Sequence, residues 1–163
     1  MILLESDLDP TRDLFNYFQW AYSRWQQDKS NDESLISISA FSFEPKESLQ
    51  RLDPNNLGAF HLREGQFIGW GWMTSRRMWR SFMKPNWSVF NNWDLTLEYF
   101  RKRLGKKSLN PLQSRVKNIG YQGENFKMSK EQYESSKFNR IYLEKETARD
   151  YNNVKEERLL TTE

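Results

Sequence analysis

Ile2-Leu3-Leu4-Glu5-Ser6-Asp7-Leu8-Asp9 is the stretch of this 163-residue chain that decides the expected fold. Its apolar residues at 2–4 predict a short buried strand, which runs directly into an acidic cluster. Asp9-Pro10 then indicates the start of a helix, with a capping carboxylate followed by proline at the first helical position. Because ligands bind beyond the carboxyl ends of the strands in open α/β sheets, we expect these carboxylates to face a cleft.

The following elements predict the fold class. A helix over residues 10–28 is indicated by apolar residues at three- and four-residue spacing, namely Leu14, Phe18, Tyr22 and Trp25. Residues 35–41 predict the next strand. Strand, helix and strand in this order indicate an α/β fold, with the helix covering one face of the sheet.

The second half of the chain is predicted to hold two more helices. The first covers residues 74–83 and is interrupted by Pro85-Asn86, and the second covers 93–104 and ends at Gly105. Gly120 and Gly123 flank a predicted mobile loop. Residues 144–163 are highly charged without apolar periodicity, which is typical of a solvated tail.

Composition excludes several classes of protein. The formal charge of +3, from 25 basic and 22 acidic residues, suits a phosphate-bearing ligand but is too small for a dedicated nucleic-acid binder. The absence of cysteine excludes disulfides and thiolate metal sites. No apolar run within the chain is long enough to span a membrane. Aromatic residues, 15% of the chain, either build the core or form platforms for sugar rings.

Two acidic residues are candidates for chemistry, each with a structural alternative. Asp7 stands at a strand end, where Mn²⁺ or Mg²⁺ takes oxygen ligands and needs only one or two carboxylates if a diphosphate completes the shell. The alternative is an acidic loop before a helix. Asp94 follows Trp93, and a large aromatic neighbour makes a carboxylate more basic by desolvating it. The alternative is a helix N-cap.

Alternating glycine and tryptophan in Gly69-Trp70-Gly71-Trp72 let the backbone approach closely while indole rings cover an apolar surface. Trp72 and Trp93 are therefore candidates for the wall of an acceptor cleft. Packing in the core is the alternative for Trp72.

The order of these segments resembles that of the N-acetylglucosaminyltransferase I family. The likeness covers about residues 2–143. Each short match is weak evidence by itself, but the matches together, in the family's order, are far more specific. The matching segments are Leu4-Glu5-Ser6-Asp7-Leu8-Asp9, Leu14-Phe15-Asn16-Tyr17-Phe18, Ile36-Ser37-Ile38-Ser39-Ala40-Phe41, Phe67-Ile68-Gly69-Trp70-Gly71-Trp72, Lys84-Pro85-Asn86-Trp87, Trp93-Asp94, Ser114-Arg115 with Gly120, and Lys137-Phe138-Asn139.

The resemblance implies a GT-A fold of the nucleotide-diphospho-sugar transferase type. Residues 1–143 would be the C-terminal part of that catalytic domain and residues 144–163 a charged tail. In this fold the strands that precede the metal-binding strand build most of the uridine pocket, and here the metal-binding strand begins at residue 2. We therefore expect a partial fold that lacks the N-terminal nucleotide-binding strands, exposes a sheet edge and, alone, binds UDP-sugar poorly.

The resemblance also implies roles for individual residues. Asp7 would bind Mn²⁺ or Mg²⁺ and bridge it to the diphosphate of the donor. Glu5 would lie beside the donor sugar, Ser6 near the ribose, and Asn125 would contact phosphate. Asp94 would be the general base that removes a proton from the acceptor hydroxyl.

The implied reaction is an inverting transfer of N-acetylglucosamine from UDP-GlcNAc to a mannose-containing glycan. Relatives usually carry an acid where this chain has Ser6, so we expect different donor contacts there. Eukaryotic members act in the Golgi lumen, and bacterial relatives would be cytoplasmic. The alternative function is a catalytically impaired fragment that serves as a carbohydrate-binding or interaction module.

Overall fold

A five-stranded mixed sheet is the centre of the structure, a computed structural model that describes residues 1–27, 33–43, 62–87, 92–120 and 129–134. Its strands, in spatial order, are β1 (Ile2–Leu3), β5 (Trp72–Met73), β3 (Leu35–Ser39), β6 (Lys107–Pro111) and β4 (Leu62–Gly65). Only β3 and β6 pair in parallel, and the other neighbours are antiparallel. A separate two-stranded ribbon joins β2 (Leu8–Pro10) to β7 (Val116–Asn118).

In the described part of the chain, four helical stretches accompany the sheet: α1 (Leu14–Gln27), α2 (residues 76–86), α3 (Trp93–Arg103) and the short α4 (Lys130–Glu134). The predicted α/β character is confirmed. Within α1 one face is buried, and the hydroxyl of Tyr17 donates to the carbonyl of Ser39 at the end of β3 over 2.7 Å. This bond fixes the helix to the strand whose carboxyl end borders the candidate site. No helix in the described ranges is long and apolar enough to cross a bilayer.

The start of α1 differs from the prediction. Pairing with β7 takes residues 8–10 into a strand, so Asp9-Pro10 does not cap the helix. Asp13 holds the N-cap position instead, because its carbonyl accepts the first helical hydrogen bond, from the N–H of Tyr17 over 2.8 Å. The hydroxyl of Thr11 donates to the Asp13 carboxylate over 2.6 Å and stabilises the turn.

The first strand also differs from the prediction. β1 contains only Ile2 and Leu3, both half-buried, and Leu4 is exposed. β1 and β3 run in the same direction as expected, but β5 lies between them and pairs antiparallel with both. Among the described strands β1 pairs only with β5, so it is an edge strand. A strand at an edge needs no continuous burial.

The two later helices agree with the prediction except at one boundary. α2 continues past Pro85 to residue 86, because a π-helical segment, Trp79–Met83, precedes the proline and its wider turn accommodates the ring. α3 ends before Gly105, which adopts a φ of +59°. Of the loop predicted between Gly120 and Gly123, only Gly120 is among the described residues. The tail predicted at 144–163 lies outside them.

A buried ion pair connects the helical and strand layers at the site. The Nε of Arg115 lies 3.3 Å from Oδ2 of Asp13, and both side chains are at most 1% exposed. The guanidinium also donates to the carbonyl of Gln113 over 2.5 Å and lies 5.2 Å from the ring centre of Tyr17. The Arg115 backbone bonds to Ala40 on one side and Thr11 on the other. One residue thus joins α1, β3 and β7.

We predict that Asp13→Asn lowers the free energy of unfolding by about 3–5 kcal/mol, because it removes a counterion of the buried Arg115 charge. Urea denaturation followed by circular dichroism measures this. The matched control is Glu33→Gln, which removes an exposed pair with Arg77 and is expected to cost no more than about 1 kcal/mol. Similar losses for the two variants would contradict the assignment.

Candidate functional site

The candidate site lies at the edge of the sheet where β1 and β3 end and β5 begins. Residues 4–7 follow β1, residues 40–43 follow β3, and residues 69–71 precede the antiparallel β5. Strand direction therefore brings these three segments to the same edge, where ligands of open α/β sheets bind.

A tight turn presents the acidic cluster at this edge. The N–H of Leu8 donates to the carbonyl of Glu5 over 3.3 Å, so Ser6 and Asp7 are the central residues of the turn. Ser6 is exposed, and Asp7 is half-buried. The N–H of Ile119 donates to the Asp7 carbonyl over 2.7 Å, so the β7 segment fixes the backbone of this residue.

Gly120 packs directly against the side chain of Asp7. A Cβ atom at residue 120 would overlap Oδ2 of Asp7 and lie only 3.0 Å from its Cβ and Cγ. The N–H of Gly120 donates to Oδ1 of Asn118 over 2.8 Å, and the hydroxyl of Tyr133 donates to the same oxygen. Asn118 therefore holds the glycine in place, and any larger residue at 120 would displace the carboxylate.

The donor set of this turn fits a hard divalent cation. Asp7 and Glu5 supply carboxylate oxygens, which Mn²⁺ and Mg²⁺ prefer, and the missing Cβ of Gly120 leaves room for the Asp7 carboxylate itself. Within the described ranges no three His, Cys, Asp or Glu side chains are grouped closely enough to hold a metal by themselves. The arrangement therefore suits a cation whose other ligands come from a substrate.

Asp94 lies in the first turn of α3 and is half-buried. The helix begins at Asn92, the N-cap, whose backbone is left-handed with a φ of +69°. Asp94 accepts a bond from the N–H of Leu95 over 2.8 Å. Asn92 therefore holds the N-cap position, but its side chain makes no capping bond, and Asp94 accepts from a backbone N–H at the start of the helix as the structural alternative predicted.

Two contacts one helical turn apart fix α3 against the segment before β5. Gly69 lies under the first turn, where a Cβ would be 3.1 Å from the ring of Trp93 and 3.6 Å from Cβ of Asp94. One turn later, Glu98 accepts from the N–H of Phe67 over 2.8 Å and from Arg101 over 2.6 and 2.9 Å. Burial alone would raise the pKa of Glu98, but these hydrogen bonds lower it below its usual value.

The segment 69–71 joins the two carboxylate regions. Gly71 has a φ of +66°, and a Cβ there would be 3.2 Å from both Leu4 and Val116, so the segment packs directly beside the acidic turn. Gly69 packs beside Asp94. Because two residues span at most about 7 Å, the acidic turn and the start of α3 are close neighbours.

Glu5 is within electrostatic range of both candidate carboxylates. Desolvation of its carboxyl group raises the pKa of Glu5, and the negative charges of Asp7 and Asp94 raise it further. Three acids thus share one region, although the residue Glu5 is still accessible to water. A cation bound here would relieve the repulsion among them.

A cavity of about 520 Å³ lies next to Asp94. Its wall combines aromatic and aliphatic side chains with polar ones, and its acidic groups come from α3. The lining residues are Phe43, Gln66, Phe67, Ile68, Gly69, Trp70, Asn92, Asp94, Leu95 and Glu98. A second cavity of about 330 Å³ shares Phe43, Gln66 and Ile68 with the first, so the two are adjacent. Both volumes are typical of small-molecule sites.

Only some of the residues predicted from the sequence lie at the site. It brings Glu5, Asp7 and Asp94 together, with Ser6 at the exposed tip of the turn. Asn125 lies outside the described residues. Trp72 is only 1% exposed and packs on Phe67, so it belongs to the core and does not line the cavity.

Trp93 also does not line the cavity, but packs among other rings beneath it. The tryptophan that does line the cavity is Trp70, which the sequence analysis did not select. The sequence feature that could have identified Trp70 as the wall residue is Gly71, which lies between the two tryptophans. Its positive φ breaks the alternation of an extended chain, so Trp70 and Trp72 face different surroundings.

The chain is similar to a known protein family and to a plant enzyme. A model of the GNT-I family matches residues 1–161. The chain is also similar to the alpha-1,3-mannosyl-glycoprotein 2-beta-N-acetylglucosaminyltransferase of Arabidopsis thaliana, with 28% identity over 133 residues. The similarity covers 82% of this chain but only 28% of the plant protein, so the chain spans little more than a quarter of that relative's length.

We predict that Glu5→Gln raises the melting temperature at pH 7 by a few degrees at most. The folded protein has a raised Glu5 pKa, so the ionised carboxylate destabilises it above that pKa, whereas below the ordinary value of about 4.3 the group is protonated in both states. The difference between variant and wild type is therefore expected to vanish near pH 3.5, as measured by scanning calorimetry.

Glu98→Gln is the matched control with the opposite sign. The lowered pKa of Glu98 stabilises the folded protein above the ordinary pKa, and this contribution is lost as the pH falls through the lowered value. Its removal should lower the melting temperature at pH 7. Shifts of the same sign in both variants would contradict the electrostatic description of Glu5.

Proposed function

The chain belongs to the GNT-I family, and from this we propose that it is part of a metal-dependent, inverting N-acetylglucosaminyltransferase with a GT-A fold. The proposed donor is UDP-GlcNAc, and the proposed acceptor is a hydroxyl of a mannose-containing glycan. One observation supports this more than any other. The segment 69–71 packs beside the acidic turn at Gly71 and beside Asp94 at Gly69, so a candidate metal ligand and a candidate base lie near one another.

Asp7, with Glu5 beside it, forms the donor side of the proposed site. Asp7 would hold Mn²⁺ or Mg²⁺ through its carboxylate, and the diphosphate of the donor would supply further oxygen ligands. When bound, the cation offsets the negative charge that develops on the departing diphosphate. Gly120 and the backbone bond from Ile119 keep the Asp7 carboxylate in one orientation before any ligand arrives.

Asp94 forms the acceptor side. Its carboxylate borders the larger cavity, where an acceptor hydroxyl can reach it. In the proposed reaction the acceptor oxygen attacks the anomeric carbon of the donor sugar from the face opposite the leaving group. The new C–O bond forms as the bond to the diphosphate oxygen breaks, the electron pair leaves with UDP, and Asp94 takes the hydroxyl proton. Attack from the opposite face inverts the anomeric centre.

The larger cavity fits a sugar ring in its composition. Trp70 and Phe43 offer aromatic faces, with ring centres 6.0 Å apart, and carbon-bound faces of sugars pack on such surfaces. Gln66 and Asn92 on the same wall offer amide groups to hydroxyls. The adjoining smaller cavity extends this groove away from Asp94 along β4 and β6.

The same aromatic cavity also favours the second candidate function, a carbohydrate-binding module without catalysis. Such a module needs the wall of the cavity but not a base. The two functions therefore differ in their dependence on Asp94.

We predict that Asp94→Asn lowers kcat/KM for transfer from UDP-GlcNAc to a mannose oligosaccharide by about 100- to 10,000-fold, the usual contribution of a general base. Mass spectrometry of the product over long incubations with Mn²⁺ detects even slow turnover. Glu33→Gln, an exposed acid outside the cavity, is the control and should keep wild-type activity. Equal turnover by wild type and Asp94→Asn would exclude Asp94 as the base.

We predict that Asp7→Asn weakens Mn²⁺ binding in the presence of UDP by at least about tenfold, since loss of even an indirect partner of a metal ligand costs about 10- to 100-fold. Electron paramagnetic resonance of free Mn²⁺ measures the affinity without any turnover. Glu64→Gln, at the far end of the groove, is the control with unchanged affinity. Unchanged affinity in Asp7→Asn would contradict the proposed metal site.

A further inference from the structure

Three tryptophans form a continuous stack that ends beside Asp94. The rings of Trp87 and Trp93 are nearly parallel, with centres 4.7 Å apart and planes inclined by 12°. Trp79 meets Trp87 edge-on at 5.3 Å. Trp79 belongs to the π-helical segment of α2, Trp87 follows the last residue of that helix, and Trp93 begins α3. The stack therefore connects two helices.

The ring of Trp93 is confined on its other sides as well. Trp72 and Phe67 lie 6.2 Å and 6.0 Å from it, both from the core. Gly69 lies against its outer edge, and even one added methyl group there would approach Cη2 to 3.1 Å. With Trp87 across its face, these contacts restrict displacement of the ring towards the core and towards Gly69.

We propose that Trp87 is a positioning residue for Asp94 and acts through Trp93. Asp94 is the next residue along the chain, and a Cβ added at Gly69, beside the Trp93 ring, would lie 3.6 Å from the Asp94 Cβ. A displacement of that ring therefore changes the orientation of the first turn of α3 and of the Asp94 carboxylate. Trp87 itself does not line either cavity, so it contacts no part of the acceptor there.

The inference rests on the proposed role of Asp94 as the base, because only then does its position affect the rate. A base must lie within hydrogen-bond reach of the proton that it removes, and a misplacement of about 1 Å costs about 100-fold in rate. Substrate binding through the donor side and the aromatic wall is retained when the base moves. Loss of the stack should thus lower kcat and leave KM nearly unchanged.

The first experiment compares the steady-state kinetics of Trp87→Ala, Trp87→Phe and Trp20→Ala. We expect Trp87→Ala to lower kcat by about 10- to 100-fold with KM changed less than about threefold. Trp87→Phe keeps a stacking ring and should recover most of the rate. Trp20, a half-buried tryptophan of α1 outside the stack, controls for the loss of any indole and should leave kcat unchanged.

A double-mutant cycle with Asp94→Asn then tests the route of the effect. In the Asp94→Asn background, Trp87→Ala should add less than about a twofold loss. A full additional loss would overturn the inference, because Trp87 would then affect the rate without Asp94. Equal effects of Trp87→Ala and Trp20→Ala would overturn it as well.

A second measurement needs no activity and separates this inference from the proposed function. The ¹³C chemical shift of the Asp94 carboxyl carbon is recorded by NMR in wild type, Trp87→Ala, Trp87→Phe and Trp20→Ala. We expect a shift in Trp87→Ala, recovery in Trp87→Phe and none in Trp20→Ala. An unchanged signal in Trp87→Ala would refute the positioning role, whereas full turnover by Asp94→Asn alone would refute only the role of Asp94 as base.

Discussion

The ion pair between Asp13 and Arg115 is the constraint on which the candidate site depends. Both side chains are almost fully buried, so the charge of each is stabilised by the other. The pair fixes the start of α1 to the chain that enters β7, and the Arg115 backbone extends the connection to Ala40 after β3. Because β2 and β7 pair from this point, residues 118–120 are brought beside the acidic turn. Asp7 lies six residues before Asp13, and the ion pair acts on its position through this ribbon.

Close approach at glycines is the second organising feature of the site. Gly120 allows contact with Asp7, Gly71 with Leu4 and Val116, and Gly69 with Trp93 and Asp94. Two of these lie only two residues apart, so a single short segment connects the acidic turn to the start of α3. The site is therefore built around closely packed backbone segments. The carboxylates of Asp7 and Asp94 lie at the two sides of these segments. Desolvation and then the charges of Asp7 and Asp94 raise the pKa of Glu5, and a bound cation would offset both effects.

The sequence predicted the positions of helices and strands better than it predicted which residues pack around each side chain. Apolar spacing identified α1, and turn chemistry identified the end of α3 at Gly105. The helix start at Asp9 was wrong because pairing with β7, more than 100 residues later, took residues 8–10 into a strand. The wall residue was also missed. Trp70 and Trp72 have the same local chemistry, and only the backbone at Gly71 sends one to the cavity and the other to the core.

The sequence by itself determined the acidic turn, the candidate base and membership of the GNT-I family, because each is carried by residue types in a fixed order along the chain. Tertiary structure alone decided that Asp94 lies near the turn that carries Glu5 and Asp7, that Gly69 packs against Trp93 and Asp94, and that Trp70 lines the cavity. The physical reason is that these relations join segments separated by tens of residues. Their distances are fixed by strand order, by a buried ion pair and by close packing at glycines, and local sequence spacing contains none of these.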